Sequence, residues 1–169
     1  YQNHLEEMVA SQVAEMTRMQ DEVITGIANL IESRDGSTGL HVKNTQNYVQ
    51  ILTKALREKG MYPDILDHNY ELNTVKASVL HDIGKIKTPD AILLKPGRLT
   101  DEEFEVMKQH TVAGCEIIDR IIGNVEHEEY VDIARKIARY HHERWDGTGY
   151  PDGLSGEEIP LCARIMALA

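Results

Sequence analysis

Two adjacent histidines, His141 and His142, open the run HHERWDGTGYPDG, and another, His81, stands directly before Asp82 in HDIGK. Imidazole and carboxylate together suit borderline divalent ions such as iron, manganese or zinc, and no cysteine is spaced to suggest a thiolate site. Of the eight histidines, five fall beside expected helix ends or on helix faces with polar neighbours: His41, His81, His110, His141 and His142. Adjacent side chains on a helix point about 100° apart, so His141 and His142 can reach one ion at a helix end, where the backbone opens. An aspartate has two oxygens, so Asp82 can bridge two ions while histidines before and after it fill the remaining positions. Two such ions acidify a water and neutralise charge on phosphoryl oxygens, a standard device for attack on a phosphodiester. On a helix, Lys85 would lie one turn beyond His81 and share its face. Its ammonium then contacts a substrate phosphate or a leaving oxygen; the plainer alternative is a solvated cation at a helix end.

These residues need helices to hold them. Residues Leu5 to Ile31 contain no proline and one glycine, and Val9, Val13, Met16, Val23, Ile27 and Leu30 recur at alternating four- and three-residue steps. That is a heptad seam. It fits either one long helix packed on its own domain or a parallel coiled coil that makes a homodimer. SRDGSTG breaks the pattern. Further helices are expected over about His41 to Lys59, stopped by Gly60 and Pro63, and over about Leu72 to Ile83. Thr88 is a candidate N-cap with Pro89 at the first helical position of a short helix. Thr100 to Glu103 reads as a capping box opening a helix to about Ile122. Another helix spans about Glu128 to Tyr140; Ser155 to Glu158 is a weaker capping box before a last helix beginning at Pro160. No alternating strand pattern appears, so the fold class is all-α.

The chain has 169 residues, enough for one domain with an extension. Its net charge of -10 argues against binding a nucleic-acid polymer or an anionic membrane. A bound metal can still invert the local field for an anionic substrate. Cys115 and Cys162 form no CxxC pair and read as buried thiols. No apolar run is long enough to span a bilayer and no signal-peptide pattern appears, so a cytoplasmic protein is expected.

HDIGK, His110 within MKQHTVAG, and HHERWDGTGYPDGLSGEEIP closely resemble the HD-GYP domain, and IESRDGSTGLHVKNT, Ile31 to Thr45, looks like that domain's opening. The resemblance covers residues 23–169 and leaves 1–22 as a linker or coiled-coil helix. It implies an all-α HD-type helical bundle with an extended N-terminal helix, acting as a cyclic di-GMP phosphodiesterase in bacterial signalling. It also implies two divalent metal ions, iron or manganese first, with zinc, nickel or magnesium as alternatives. On that resemblance His41, His81 and Asp82 serve one metal, and Asp82, His110, His141 and His142 the other. Asp82 and Lys85 are then catalytic; Lys85, Gly149, Tyr150 and Pro151 border the substrate; Asp146 and Gly147 shape the loop, with Trp145 packing beneath it. An upstream receiver or sensor domain is expected to precede the first helix.

Two departures from the family pattern are visible. Members with three metals carry a glutamate four residues before the first histidine, where this chain has Ser37, so a dinuclear site is expected. The family pattern continues RIMALAD, whereas this sequence ends at Ala169, so a truncated last helix, incomplete metal binding and impaired activity are expected. His4, His68 and His127 match no family position and read as surface residues. Two other functions share these residues: an HD phosphohydrolase for another nucleotide, and a non-catalytic module that binds nucleotide or protein.

Overall fold

Long runs of Ala, Leu, Ile, Val and Met at helical spacing, with almost no aromatic bulk, leave helix-on-helix packing as the way to build a core. The computed structural model describes residues 2–36, 40–123 and 128–169, and these are helical with no strand among them. Ser37 and His127 lie outside the described residues. Among the described residues seven α-helices follow in order: α1 Gln2–Glu32, α2 Leu40–Glu58, α3 His68–Ala77, α4 Asp90–Leu93, α5 Asp101–Ile122, α6 Glu128–Tyr140 and α7 Leu161–Leu168. None is long and apolar enough to cross a membrane.

Helix α6 is the centre of the bundle. Its Val131, Ile133, Ala134, Ile137 and Ala138 are all buried, and it packs against α3, α5 and α7. Two alanines among the five let neighbouring backbones approach closely on that face. α2 presents Val42, Thr45, Val49 and Thr53, a helical stripe, toward α3 and α7. α5 opens with the full capping box, the Thr100 side chain accepting from Glu103 N while Glu103 accepts from Thr100 N. This satisfies donors that a helix start otherwise leaves open.

α1 behaves as two parts. Residues 4–20 are exposed throughout. Only the last turns join the core, through half-buried Ile24 and buried Ala28 and Ile31. The heptad seam faces elsewhere: Val13, Met16 and Leu30 are 59%, 66% and 70% exposed. The seam therefore does not pack on this chain's own domain.

Two expected boundaries move. The third helix was expected to run to about Ile83, but α3 ends at Ala77 and continues as 3-10 turns, Ser78–Leu80 and Ile83–Lys87. The physical reason is contact with α5. A Cβ on Gly84 would lie 1.8 Å from the His110 carbonyl oxygen and 2.5 Å from Gly114 N, so here backbone rests directly on backbone. A regular helix carrying side chains does not fit there. Likewise Pro89, with ψ 140°, holds the N-cap position of α4 instead of Thr88, which is buried. Thr88 O is taken by Arg34 Nη2 at 3.2 Å, and Arg34 Nη1 also reaches Lys85 O and Ile86 O at 3.1 and 3.2 Å. One guanidinium from the turn after α1 thus fixes the whole 85–88 segment.

Candidate metal centre

The centre forms where four segments meet: the end of α1, the start of α2, the turn after α3, and α5 with the end of α6. Asp82 sits in the turn between the two 3-10 pieces and is buried. Its Oδ1 lies 3.3 Å from His110 Nε2 and 3.5 Å from His141 Nε2. Its Oδ2 lies 3.3 Å from His81 Nε2 and 2.7 Å from Lys85 Nζ. One carboxylate therefore faces two groups of ligands, one with each oxygen.

The imidazoles are oriented by their own backbones. His81 Nδ1 is 2.8 Å from Ser78 O, His110 Nδ1 is 2.8 Å from Met107 O, and His141 Nδ1 is 3.0 Å from Ile137 O. A carbonyl only accepts, so in each case Nδ1 carries a proton, and in the neutral ring Nε2 presents its lone pair inward. His110 Nε2 and His141 Nε2 then stand 3.4 Å apart, and Asp82 Oδ1 is buried without a hydrogen-bond donor. Converging acceptors with no donor among them are costly unless a cation lies between them. This donor set fits a divalent metal, with ligand atoms of Asp82, His110, His141 and His142 all within 4.8 Å of one another.

A second group flanks the first. Glu32, His41 and His81 also place ligand atoms within 4.8 Å of one another. His41, at the start of α2, is exposed, whereas Glu32 and His81 are buried. Glu32 escaped the sequence reading. Its signal was position: Ile24, Ala28 and Ile31 form the packed stripe of α1, and a carboxylate immediately after them falls into the same buried neighbourhood. Lys85 Nζ sits between carboxylates, 2.9 Å from Asp35 Oδ2 and 3.6 Å from Glu32 Oε1 besides Asp82. The expected helical face shared with His81 is absent, because the intervening segment is a 3-10 turn; Lys85 instead reaches back to Asp82. It is neither a solvated cation nor fully open to an incoming phosphate.

Charge in the centre is strongly polarised. Burial opposes ionisation of Asp82, yet positive charge on His81 holds its carboxyl well below the usual range. Burial also works against a protonated His81, and the Asp82 carboxylate outweighs it, so His81 titrates above an ordinary histidine. Burial pushes His141 down, and burial first, then the neighbouring histidines, push His142 down to about 3. Both are neutral ligands in waiting. Lys85 is raised: burial opposes its charge, but Asp82 and Asp35 override it.

The loop after α6 forms the wall. Tyr150 stacks on His142 with ring centroids 4.7 Å apart, and Tyr150 N donates to His142 O at 3.3 Å. The Tyr150–Pro151 peptide is cis. Gly149 passes so close to the histidine pair that a Cβ would lie 2.6 Å from His142 O and 2.5 Å from Glu143 Cα. Asp146 shapes the corner by accepting from Thr148 N at 3.0 Å and Thr148 Oγ1 at 2.6 Å, and Gly147 takes φ +76°. Pro151 is half-buried beside them.

Two expectations need correction. Trp145 does not pack beneath this loop: it is 63% exposed, with its ring against Arg164 at 5.9 Å. Glu143 holds the loop instead, accepting from Asp152 N, Gly153 N and Leu154 N at 2.7, 3.1 and 3.0 Å. Three backbone donors need a charged acceptor, which an indole cannot supply. Cys162 is buried but Cys115 is only half-buried, since its position on α5 is at the border of the core face. His4 and His68 are exposed.

Comparison with known proteins gives the same picture. The HD domain family matches residues 3–169. A probable cyclic di-GMP phosphodiesterase of Vibrio cholerae is 44% identical over 99% of this chain and 38% of its own length. A cyclic di-GMP phosphodiesterase response regulator of Xanthomonas campestris is 37% identical over 98% of this chain and 40% of its own. A 3'3'-cGAMP-specific phosphodiesterase of Vibrio cholerae is 34% identical over 93% of this chain and 28% of its own. The chain spans about two-fifths or less of the length of these relatives. With its family match running nearly end to end, and its His81-Asp82 and Gly149-Tyr150-Pro151 motifs in place, the chain belongs to the HD domain family, in its HD-GYP branch.

Proposed function

We propose that this chain is the catalytic unit of a metal-dependent cyclic di-GMP phosphodiesterase. The observation that carries the reading is Asp82, with Oδ1 toward His110 and His141 and Oδ2 toward His81 and Lys85. His41, His81, Asp82 and Glu32 would hold one ion, and Asp82, His110, His141 and His142 the other. Iron or manganese suits this mixed nitrogen and oxygen set. When bound, the pair supplies an acidified water and positive charge for the phosphoryl oxygens.

The protein's own groups do the rest. His141 and His142, held neutral by burial, would offer lone pairs without first losing a proton. Lys85 keeps the Asp82 carboxylate ionised and adds positive charge on the phosphate side. Tyr150, backed by His142, and the Gly149–Pro151 corner limit where a substrate can lie. The relatives named for cyclic di-GMP support this substrate. The test is incubation of the manganese- or iron-loaded protein with cyclic di-GMP, read by chromatography for linear dinucleotide and GMP. Metal bound at two ions per chain with no product would overturn the reading.

A second reading rests on the relative specific for 3'3'-cGAMP: the same centre acting on a cyclic dinucleotide with one adenine. Comparing kcat/KM on both substrates separates the two. We also propose that the exposed seam of α1 pairs two chains as a parallel coiled coil, connecting this unit to an upstream receiver or sensor domain. Sedimentation should give a dimer that Val9→Asp with Val13→Asp converts to a monomer; a monomeric parent would end that proposal. Two free thiols and no disulfide framework suit the reducing cytoplasm.

A further inference from the structure

Beyond the potential metal ligands, the wall of the centre carries a second group of side chains with its own chemistry. Phe104 and Lys108 lie one turn apart on α5, and both approach Tyr150. The Phe104 and Tyr150 rings meet edge to face, with centroids 5.8 Å apart. Lys108 Nζ stands 5.3 Å over the Phe104 ring and 5.8 Å over the Tyr150 ring. It also pairs with Glu105 Oε1 at 2.5 Å. Phe104 is the chain's one phenylalanine, yet it is 43% exposed. An aromatic pair that backs directly on the ligand His142, with a cation and a carboxylate beside it, is more than the capped helix start requires.

We propose that Phe104, Glu105, Lys108 and Tyr150 form a subsite that reads a guanine base of the substrate. This rests on the reading of the centre as a cyclic dinucleotide phosphodiesterase. The chemistry matches guanine on both sides of its polar edge. O6 and N7 accept hydrogen bonds, and a lysine ammonium donates to them. The N1–H and N2 amino group donate, and the Glu105 carboxylate accepts. Adenine reverses the relevant positions: its N6 amino group is a donor and meets the ammonium unfavourably, while its N1 is an acceptor and meets the carboxylate unfavourably. The rings supply a stacking surface that any base can use. Stacking therefore gives affinity, and the Lys108–Glu105 pair gives the choice of base.

The base is anchored apart from the reacting phosphate, so recognition and chemistry are separable by experiment. Binding is measured by displacing fluorescent cyclic di-GMP from the metal-loaded chain with unlabelled cyclic di-GMP or cyclic di-AMP, and hydrolysis of each, and of bis(p-nitrophenyl) phosphate, is followed in parallel. The parent should prefer cyclic di-GMP. Lys108→Met should reduce that preference by on the order of ten-fold, with Lys108→Arg restoring it. Glu105→Gln should reduce it to a smaller degree, and Phe104→Leu should weaken both dinucleotides together. Metal content and the far-ultraviolet circular dichroism of each variant establish that it is folded and loaded. An unchanged preference in Lys108→Met overturns the subsite, as does an equal loss on both dinucleotides and the base-free diester, which would make Lys108 a phosphate contact. A parent that binds neither dinucleotide overturns it too. Tight, guanine-selective binding without hydrolysis would instead overturn the phosphodiesterase reading and leave the subsite standing.

Discussion

Asp82 Oδ1 faces His110 Nε2 at 3.3 Å as acceptor against acceptor, because His110 Nδ1 already directs its proton to Met107 O. The arrangement is repeated with His141, whose Nδ1 is committed to Ile137 O and Ala138 O. Such a contact is held by the surrounding packing and is relieved by a cation. Asp82→Asn keeps the shape and removes the charge from both halves at once. It should lower metal content from the proposed two ions per chain to one or fewer, read by elemental analysis after dialysis. Hydrolysis should fall at least about 100-fold, beyond the range of changes outside the immediate ligands. Two retained ions would show that Asp82 does not bridge.

Glu143 supports the wall and belongs to neither group of potential ligands. Glu143→Gln weakens the acceptor for three backbone donors, a cost of about 1–3 kcal/mol. The melting temperature should fall and KM should rise as Tyr150 loses its support, while metal content stays at the parent value. A loss of metal equal to the loss of activity would make Glu143 a ligand rather than a support of the loop.

Gly84 sets the distance between the turn that bears Asp82 and the helix that bears His110. Gly84→Ala places a methyl 1.8 Å from the His110 carbonyl oxygen, and backbone must move to admit it. Overpacking of this kind costs about 1–3 kcal/mol or more. Both the unfolding midpoint in urea and the affinity for the ion at His110 should drop. Parent-like values for both would show that the turn and α5 slide freely.

Acid should destabilise the metal-free protein through His142. Its folded pKa of about 3 lies below the unfolded value of 6.5, so the unfolded state binds the proton first. The His142 contribution is complete above about pH 6.5 and is lost as pH falls toward 3. Asp82, held low, adds to the loss at the acid end, whereas His81, held high, contributes fully in acid and loses its contribution as pH rises through its folded pKa. Thermal melts in chelator between pH 7 and 4 should show a shallower decline for His142→Gln than for the parent. Identical slopes would remove His142 as the cause.

Residues 1–22 and the rest of the chain should separate cleanly in stability. Residues 4–20 are exposed throughout, so on deleting 1–20 the melting temperature of the remaining unit should stay within a few degrees of the parent at low concentration. A large drop would mean that α1 stabilises the bundle along its full length.

Much of this was legible in the sequence, because capping and helical periodicity act locally. The Thr100–Glu103 box, the limits of α5 and α6, and the grouping of His141 with His142 at a helix end all follow from neighbours within a few residues. What escaped depends on contacts distant in sequence. The early end of α3 comes from Gly84 meeting α5. The exposure of Trp145 comes from Glu143 already occupying the space under the loop. Glu32 and Arg34 read as ordinary charged residues at a helix end until the fold brings His41, His81 and the Lys85 segment to them.

Each inward-facing imidazole takes its bearing from a carbonyl three or four residues earlier on its own element: Ser78 for His81, Met107 for His110, Ile137 for His141. Tautomer and ring direction are thus set by contacts within each local turn, without help from distant segments. The centre is built from separately aimed parts, and contacts between distant segments supply only their convergence.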